Sequence, residues 1–181
     1  MGAGLGRYRR EGGRPRRLQR TRGWIHTGGH RSHRGRGGRT RGQDAEGHDP
    51  EDGPHRGRNL PDAAGDDEEA LKNNAGIHLE GTGFPWEDGA NTYLAGHRLG
   101  YPNEPSFLAF WDLDALENGD EVFVEDADGN RYTYRVFKEF VVNPTDLYVT
   151  EPVPGKDVLT LQTCTLPDYS RRLIVQAELI S

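Results

Sequence analysis

The sequence predicts a mainly β fold, an antiparallel barrel or sandwich with short helices, behind a disordered N-terminal segment. Short runs rich in β-branched and aromatic residues alternate with turn signals, and few segments have helical periodicity. Strands do not alternate regularly with long helices, which argues against a parallel α/β fold. The composition also changes abruptly near Asn59, so we expect residues 1–58 and 59–181 to differ in kind.

Residues 1–58 carry 15 arginines and six acidic residues, a net charge of +9, whereas residues 59–181 carry eight basic and 23 acidic residues, a net charge of −15. Because the first segment has almost no aliphatic residues, we expect a disordered Gly/Arg-rich tail. Three interpretations stay open: a solvated tail, an RNA-binding segment whose guanidinium groups pair with phosphates, or GC-rich codons read in the wrong frame. We favour the third, under which an anchor and the first strand of the domain 59–181 are missing from this chain.

The first half of the domain predicts one helix, one strand and two irregular segments. Asp66–Lys72 predicts a short helix with acidic residues in its first turn. Ala75–Asp88, with its Gly-Thr-Gly-Phe-Pro-Trp run, predicts a loop held by buried aromatic anchors. Asn91–Gly96 predicts a short strand that ends at His97. Pro102–Leu116 has apolar residues partly at helical spacing, which favours a short 3₁₀ or α-helix packed over the sheet.

The next segment predicts a β-hairpin. Val122–Val124 is apolar and β-branched, the residues Asp126–Asn130 form a turn signal, and Tyr132–Val142 predicts the returning strand. Beyond it, Tyr148–Val149 is consistent with a further short strand.

Two apolar, β-rich runs flank Cys164, the only cysteine of the chain. Val158–Thr163 predicts a strand that delivers Cys164 to its C-terminal end, and Leu173–Leu179 predicts the return strand with Arg172 at its entrance. A thiol and a permanent cation would then lie together at one end of a sheet, as a nucleophile requires. A single cysteine excludes an intramolecular disulfide and multi-cysteine metal sites. No stretch approaches the ~18–20 apolar residues of a membrane span.

Cysteine, histidine and arginine side chains together can carry out acyl transfer without a metal or cofactor. A neighbouring cation raises the thiolate fraction of a cysteine, an arginine stabilises an oxyanion, and a histidine supplies a proton to a leaving amine. Spacing alone leaves both His78 and His97 open for the last task. It also leaves Arg171 and Arg172 open, because adjacent strand residues alternate between faces.

Three short motifs together resemble one known family. Thr160-Leu161-Gln162-Thr163-Cys164 followed by Arg172-Leu173-Ile174-Val175 resembles the sortase signature, and Tyr93-Leu94-Ala95-Gly96-His97-Arg98 resembles the sortase histidine motif. The resemblance covers about Leu60 to Ser181. It implies a closed antiparallel or mixed eight-stranded β-barrel. It also implies Cys164 as nucleophile, His97 as the acid–base group and Arg172 as the stabilising cation, with His78 structural or lining the site.

The resemblance further implies a reaction and its partners. Sortases cut a C-terminal sorting signal, Leu-Pro-x-Thr-Gly or a variant such as Leu-Ala-x-Thr-Gly, through a cysteine thioester. They pass the acyl group to an amine of a cell-wall precursor or a pilin lysine. We therefore expect a place at the extracytoplasmic face of a Gram-positive membrane and no nucleic-acid partner. Thr163 and Arg171 are candidates for substrate binding, and the loops Asp146–Lys156 and Thr82–Trp86 are candidates to shape the substrate groove.

One departure from the family pattern concerns the subclass. Cys164 is followed by Thr165-Leu166-Pro167, whereas many sortases have proline close behind the cysteine. Actinobacterial classes D, E and F are the nearest, and their order stays open. The rival interpretation is a catalytically inactive β-domain whose basic Arg/Gly-rich tail binds nucleic acid or another polyanion.

Overall fold

The computed structural model describes residues 26–28 and 60–181. Eight strands form one mixed sheet, curled into a half-barrel, in the order β1-β5-β6-β8-β7-β4-β3-β2. Neighbouring strands are antiparallel except for the parallel pairs β2–β3 and β4–β7. The strands are β1 His26–Gly28, β2 Asp62–Ala63, β3 Ile77–Leu79, β4 Asn91–Ala95, β5 Glu121–Glu125, β6 Arg131–Val142, β7 Val158–Cys164 and β8 Arg172–Leu179. The mainly β class with short helices is confirmed.

Helical structure in the described residues is short. Helix α1 spans Glu68–Asn73, so it begins two residues and ends one residue later than expected, and the Asp67 carboxylate caps it by accepting a hydrogen bond from the Ala70 N–H at 2.9 Å. A 3₁₀ helix, Leu113–Ala115, ends the segment expected to be helical. A second 3₁₀ helix spans Leu147–Thr150, so the strand expected at this place is wrong.

The segment Ala75–Asp88 differs from the expected loop. It contains β3, which was missed because three residues are too short a run to establish a period of two. Phe84 is half-buried and the side chain of Trp86 is 42% exposed, so Trp86 is no buried anchor. The two rings stack on each other with centroids 4.7 Å apart, which shields them from part of the solvent.

Apolar residues alternate along the central strands and so form two clusters, one on each side of the sheet. One side, the Leu161 face, carries among others Leu94, Leu159, Leu161 and Val175. The other, the Tyr93 face, carries Ile77, Tyr93, Ala95, Val142, Val149 and Ile174. Both clusters contain side chains of β4 and β8, and β7 adds Leu159 and Leu161 to the Leu161 face, so these three strands are almost continuously buried.

The strand directions bring four strand termini to one end of the sheet. Because β4 and β7 run parallel, their C-terminal ends lie at the same end. There the first residue of β8, Arg172, is paired with both Cys164 of β7 and Val142 of β6. Chain segments far apart in sequence therefore meet at this end, which we call the Cys164 end.

The expected tail, residues 1–58, lies outside the described residues apart from β1. That strand pairs with β5 in antiparallel register, Thr27 opposite Val122. The helices of the described part of the chain include none with the length and apolar character needed to cross a membrane.

Candidate active site

Cys164 and Arg172 face each other across β7 and β8. Their Cα atoms are register partners at the Cys164 end, and directly opposed residues of an antiparallel pair project from the same side of the sheet. Arg172 lies two residues before Ile174, so both side chains belong to the Tyr93 face. The thiol of Cys164 is partly exposed rather than buried in the core.

His97 follows β4 on the strand next to Cys164. The parallel register pairs Ala95 with Gln162, and the Gly96 N–H continues the ladder by donating to the Gln162 carbonyl at 3.0 Å. Two residues further on, this register brings His97 alongside Cys164, on the Tyr93 face with Ala95. A Cβ atom on Gly96 would lie 2.4 Å from ring carbons of Phe110, so only glycine allows this approach before His97.

Thr163 links the two chain segments from the opposite side of the sheet. Its side chain is 1% exposed, and its hydroxyl donates to the Gly96 carbonyl at 2.8 Å. The residue before Cys164 is thereby fastened to the residue before His97. The hydroxyl faces away from the thiol, as expected.

Arg172 is held by the turn that joins β7 to β8. Its Nη1 donates to the carbonyls of Tyr169 and Arg171, each at 3.2 Å. The Tyr93 hydroxyl donates to Gln162 Oε1 at 2.6 Å in the same part of the Tyr93 face. Burial raises the pKa of Tyr93 well above its usual range, and the positive field of Arg172 opposes that rise. The charge of Arg172 therefore reaches the Tyr93 hydroxyl on the Tyr93 face.

Arg171 points elsewhere. It precedes β8, is exposed, and its Nη2 donates to the Val141 carbonyl of β6 at 3.3 Å. Its backbone N–H and carbonyl bond to Thr165, which closes the turn between β7 and β8. The structure thus sets Arg172 opposite Cys164, with His97 following β4 at the same end of the sheet and Arg171 at the rim.

The ring of His97 lies between two groups that sequence reasoning missed. Its Nε2 is 3.4 Å from Glu68 Oε1 of α1, within ion-pair distance but without hydrogen-bond geometry. The ring of Tyr101 meets the imidazole edge-to-face, with centroids 5.6 Å apart. Glu68 precedes His97 by 29 residues, so no local motif could have connected them.

His78, the other histidine among residues 60–181, lies on the far side of the sheet. It is paired with Leu94 and so projects from the Leu161 face. Its side chain is 2% exposed, with Nδ1 at 2.8 Å from Asp62 Oδ1 and Nε2 at 3.0 Å from the Gly83 carbonyl. Its ring also stacks on Phe84, with centroids 4.4 Å apart. This placement favours His97 as the partner of Cys164.

The two loops expected to shape the substrate groove lie in different places. The segment Asp146–Lys156 starts just after Val142, at the Cys164 end, and crosses the Tyr93 face, where Asn91 Nδ2 donates to the carbonyls of Val149 and Glu151. The loop Thr82–Trp86 joins β3 to β4 at the opposite end, about 20 Å from Cys164 by the length of β7. Its part in shaping the substrate groove stays a prediction.

A cleft of about 380 Å³ opens at that opposite end. Acidic side chains of both loops line it, among them Glu80, Glu87, Asp88 and Glu151. In the part of the chain that the structure describes, no group of three or more His, Cys, Asp or Glu side chains is arranged to hold a metal ion. The cleft is separate from the Cys164 end.

Comparison with known proteins connects this geometry to a family. The sortase domain model matches residues 54–180. A sortase A of Streptococcus agalactiae serotype III (strain NEM316) is 37% identical over 92 residues, which are 50% of this chain and 37% of that protein. Sortase C1 of Streptococcus agalactiae superposes with a TM-score of 0.61 at 33% identity, over 70% of this chain and 63% of that one.

Sortase A of Corynebacterium diphtheriae superposes with a TM-score of 0.58 at 31% identity, over 69% of this chain and 56% of that one. The chain thus spans less than two thirds of the length of each of these relatives. The domain match nevertheless covers most of the chain and includes Cys164, His97 and Arg172. The chain belongs to the sortase family.

Proposed function

We propose that this chain is a cysteine transpeptidase that cleaves a C-terminal sorting signal, Leu-Pro-x-Thr-Gly or Leu-Ala-x-Thr-Gly, and transfers the acyl group to an amine. The observation that supports the proposal is the pairing of Cys164 with Arg172 at the end of β7, together with the parallel register that carries β4 toward His97 at the same end of the sheet. Membership of the sortase family supports it. The donors are surface proteins or pilins, and the acceptor is an amine of a cell-wall precursor or a pilin lysine, at the extracytoplasmic face of the membrane.

The first step forms a thioester. The Cys164 thiolate attacks the threonine carbonyl carbon, and the carbonyl electrons move onto oxygen. Arg172 stabilises this oxyanion because its guanidinium carries a permanent charge and a fork of N–H donors. The tetrahedral species collapses, the Thr–Gly bond breaks, and His97 gives its proton to the departing glycine nitrogen. The signal's C-terminal fragment leaves as a free amine.

The second step resolves the thioester. The acceptor amine attacks the acyl carbon, and His97, now neutral, takes up the proton that the amine loses. The Cys164 thiolate leaves as the new amide bond forms. The two steps together exchange one amide for another and balance without an oxidant or a reductant.

Two further residues complete the proposal. Thr163 supports the site by holding Gly96, and through it His97, against the end of β7. Arg171 lies exposed at the rim, where a bound peptide that approaches Cys164 comes within its reach. The segment Asp146–Lys156 forms one wall of the groove, because it crosses the Tyr93 face from the Cys164 end.

Replacing Cys164 tests the function. Cys164→Ala should abolish cleavage of a fluorogenic Leu-Pro-x-Thr-Gly or Leu-Ala-x-Thr-Gly peptide, since no other thiol in the sequence can form the thioester. A methanethiosulfonate reagent should block the wild-type protein, and dithiothreitol should restore it, whereas the exposed-turn variant Ser170→Ala should cleave normally. Cleavage that persists in Cys164→Ala, or a folded wild-type protein that cleaves neither peptide, would overturn the proposal.

A further inference from the structure

Helix α1 presents one carboxylate to the imidazole of His97. Glu68 Oε1 lies 3.4 Å from Nε2, and Nε2 is buried without a hydrogen-bond partner among the described residues. A buried ring nitrogen beside a carboxylate is satisfied best when it carries a proton, because a carboxylate can only accept. The contact therefore favours a proton on Nε2.

Tyr101 fixes that carboxylate. Its hydroxyl donates to Glu68 Oε1 at 2.6 Å, and this hydrogen bond is the main reason that the pKa of Tyr101 is raised. The phenol therefore remains a donor at neutral pH. Because the same ring packs edge-on against His97, Tyr101 touches both partners of the ion pair.

The rest of α1 braces the same tyrosine. Lys72 is one helical turn beyond Glu68 and so lies on the same helix face. Its Nζ is 5.5 Å from the centre of the Tyr101 ring and 3.6 Å from Glu104 Oε1. Glu68 thus binds the hydroxyl of Tyr101 while Lys72 lies over its ring, which ties α1 to the segment that follows His97.

We propose that Glu68, oriented by Tyr101, is a positioning residue for His97. It holds the tautomer with the proton on Nε2 and stabilises the imidazolium, which leaves Nδ1 as the nitrogen that exchanges a proton with the substrate amine. This role rests on the proposed transpeptidase function. It resembles the general arrangement in which a carboxylate orients a catalytic histidine and stabilises its charged form.

The other charged groups near His97 have partners or places of their own. Cys164 and Arg172 stand on the adjoining strand ends, and Arg98 is ion-paired with Asp114. Lys72 is occupied with Glu104 and Tyr101. Of the acidic groups facing the ring from the described residues, Glu68 is the one within ion-pair distance. Its side chain is 60% exposed, so solvent screening keeps the effect moderate.

The test compares two glutamates of one helix. Glu68→Gln removes the charge but keeps an acceptor, and Glu68→Ala removes both. Glu69→Gln makes the same charge change on a neighbouring exposed residue. We expect kcat/KM for the signal peptide at neutral pH to fall about 2- to 10-fold in Glu68→Gln and further in Glu68→Ala. Tyr101→Phe should have a smaller effect in the same direction.

Glu69→Gln should leave kcat/KM unchanged. An NMR readout is independent of activity: the His97 ring signals, identified with His97→Gln, should differ between Glu68→Gln and the wild-type protein at constant pH and stay the same in Glu69→Gln. If the wild-type protein cleaves the peptide and Glu68→Gln behaves like Glu69→Gln in both kcat/KM and the ring signals, the positioning role is refuted and the transpeptidase function stands. If the wild-type protein cleaves no peptide, the proposed function is refuted. The His97 ring signals then still show whether Glu68 acts on the His97 ring.

Discussion

The two histidines of residues 60–181 occupy contrasting environments one strand apart. His78 is 2% exposed, and both of its ring nitrogens have partners, Asp62 on one side and the Gly83 carbonyl on the other. His97 is 25% exposed, and its Nε2 has an ion-pair neighbour without a hydrogen bond. Hydrogen bonds on both sides therefore fix the ring of His78, whereas Nε2 of His97 has no hydrogen-bond partner among the described residues.

This difference separates a histidine that is bound on both sides from one that has an unsatisfied ring nitrogen. Loss of the His78 ring would leave buried partners without their hydrogen bonds, so the network fixes its orientation. In the proposed reaction it is His97, which follows β4 on the strand next to β7, that exchanges a proton with the substrate amine. Two features therefore distinguish the histidines where sequence spacing could not: whether the ring nitrogens have hydrogen-bond partners, and which face of the sheet the ring lies on.

Matched alanine variants offer the strongest test of this contrast. His97→Ala should lower turnover of the signal peptide about 10²- to 10⁴-fold with little change in stability, because the leaving amine loses its acid. His78→Ala should leave the chemistry of the folded enzyme nearly intact but lower the free energy of unfolding by about 2–3 kcal/mol, since buried partners lose their hydrogen bonds. Steady-state kinetics and urea unfolding measure the two effects.

The opposite result for the two variants would contradict these roles of His78 and His97. A His78→Ala protein that is stable but inactive would move the proton-transfer role to the Leu161 face. A His97→Ala protein with wild-type turnover would remove His97 from the mechanism.

The neighbouring arginines extend the comparison to the cation, with a smaller expected effect. Arg172 faces Cys164, whereas Arg171 reaches the Val141 carbonyl at the rim. Arg172→Lys should lower kcat about 10- to 100-fold, because an ammonium keeps the charge but not the fork of donors around an oxyanion. Arg171→Lys should raise KM a few-fold and leave kcat unchanged if it contacts only bound peptide. A kcat loss confined to Arg171→Lys would contradict the assignment.

Sequence reasoning predicted the elements whose signals are local. Three predicted elements are strands or turns in the structure: Val158–Cys164, Arg172–Leu179 and the hairpin around Asp126–Asn130. Their signals are alternating β-branched residues and turn residues, which determine local structure within a few positions of the chain. The pairing of Cys164 with Arg172 followed from the same pattern.

What sequence reasoning missed depends on contacts between distant residues. Strand β3 is stabilised by parallel pairing with Asp62–Ala63 and by the bond from His78 to Asp62, 16 residues away. Leu147–Thr150 has β-forming residues, yet its place across the Tyr93 face imposes a 3₁₀ helix. Glu68 carries no motif that connects it to His97. Such partners become visible only when the fold brings α1 over the end of β4.

Thr163 connects the Leu161 face, which carries His78, to the chain segment of His97. Removing its hydroxyl should have the smallest effect of these changes on activity. The side chain lies on the Leu161 face with His78, but its hydroxyl holds the Gly96 carbonyl next to His97. Thr163→Val keeps the shape and removes that donor, so the free energy of unfolding should fall by about 1 kcal/mol. If the bond also positions His97, kcat should fall about 2- to 5-fold, since small misplacements of a catalytic group cost rate.

Thr160→Val supplies the control for this prediction. Thr160 is buried on the same strand, and its hydroxyl donates to Asn91 Oδ1 at 2.7 Å, three residues away from Thr163 toward the opposite end of β7. Because its hydroxyl also accepts a hydrogen bond from Gln176 Nε2 at 3.3 Å, Thr160→Val should lose at least as much stability as Thr163→Val, while kcat stays at the wild-type value. Urea unfolding and saturation kinetics on both variants then separate packing from positioning. Equal kcat in the two variants would show that Thr163 only stabilises the fold, because a hydroxyl that positions His97 must act on the chemical step as well as on unfolding.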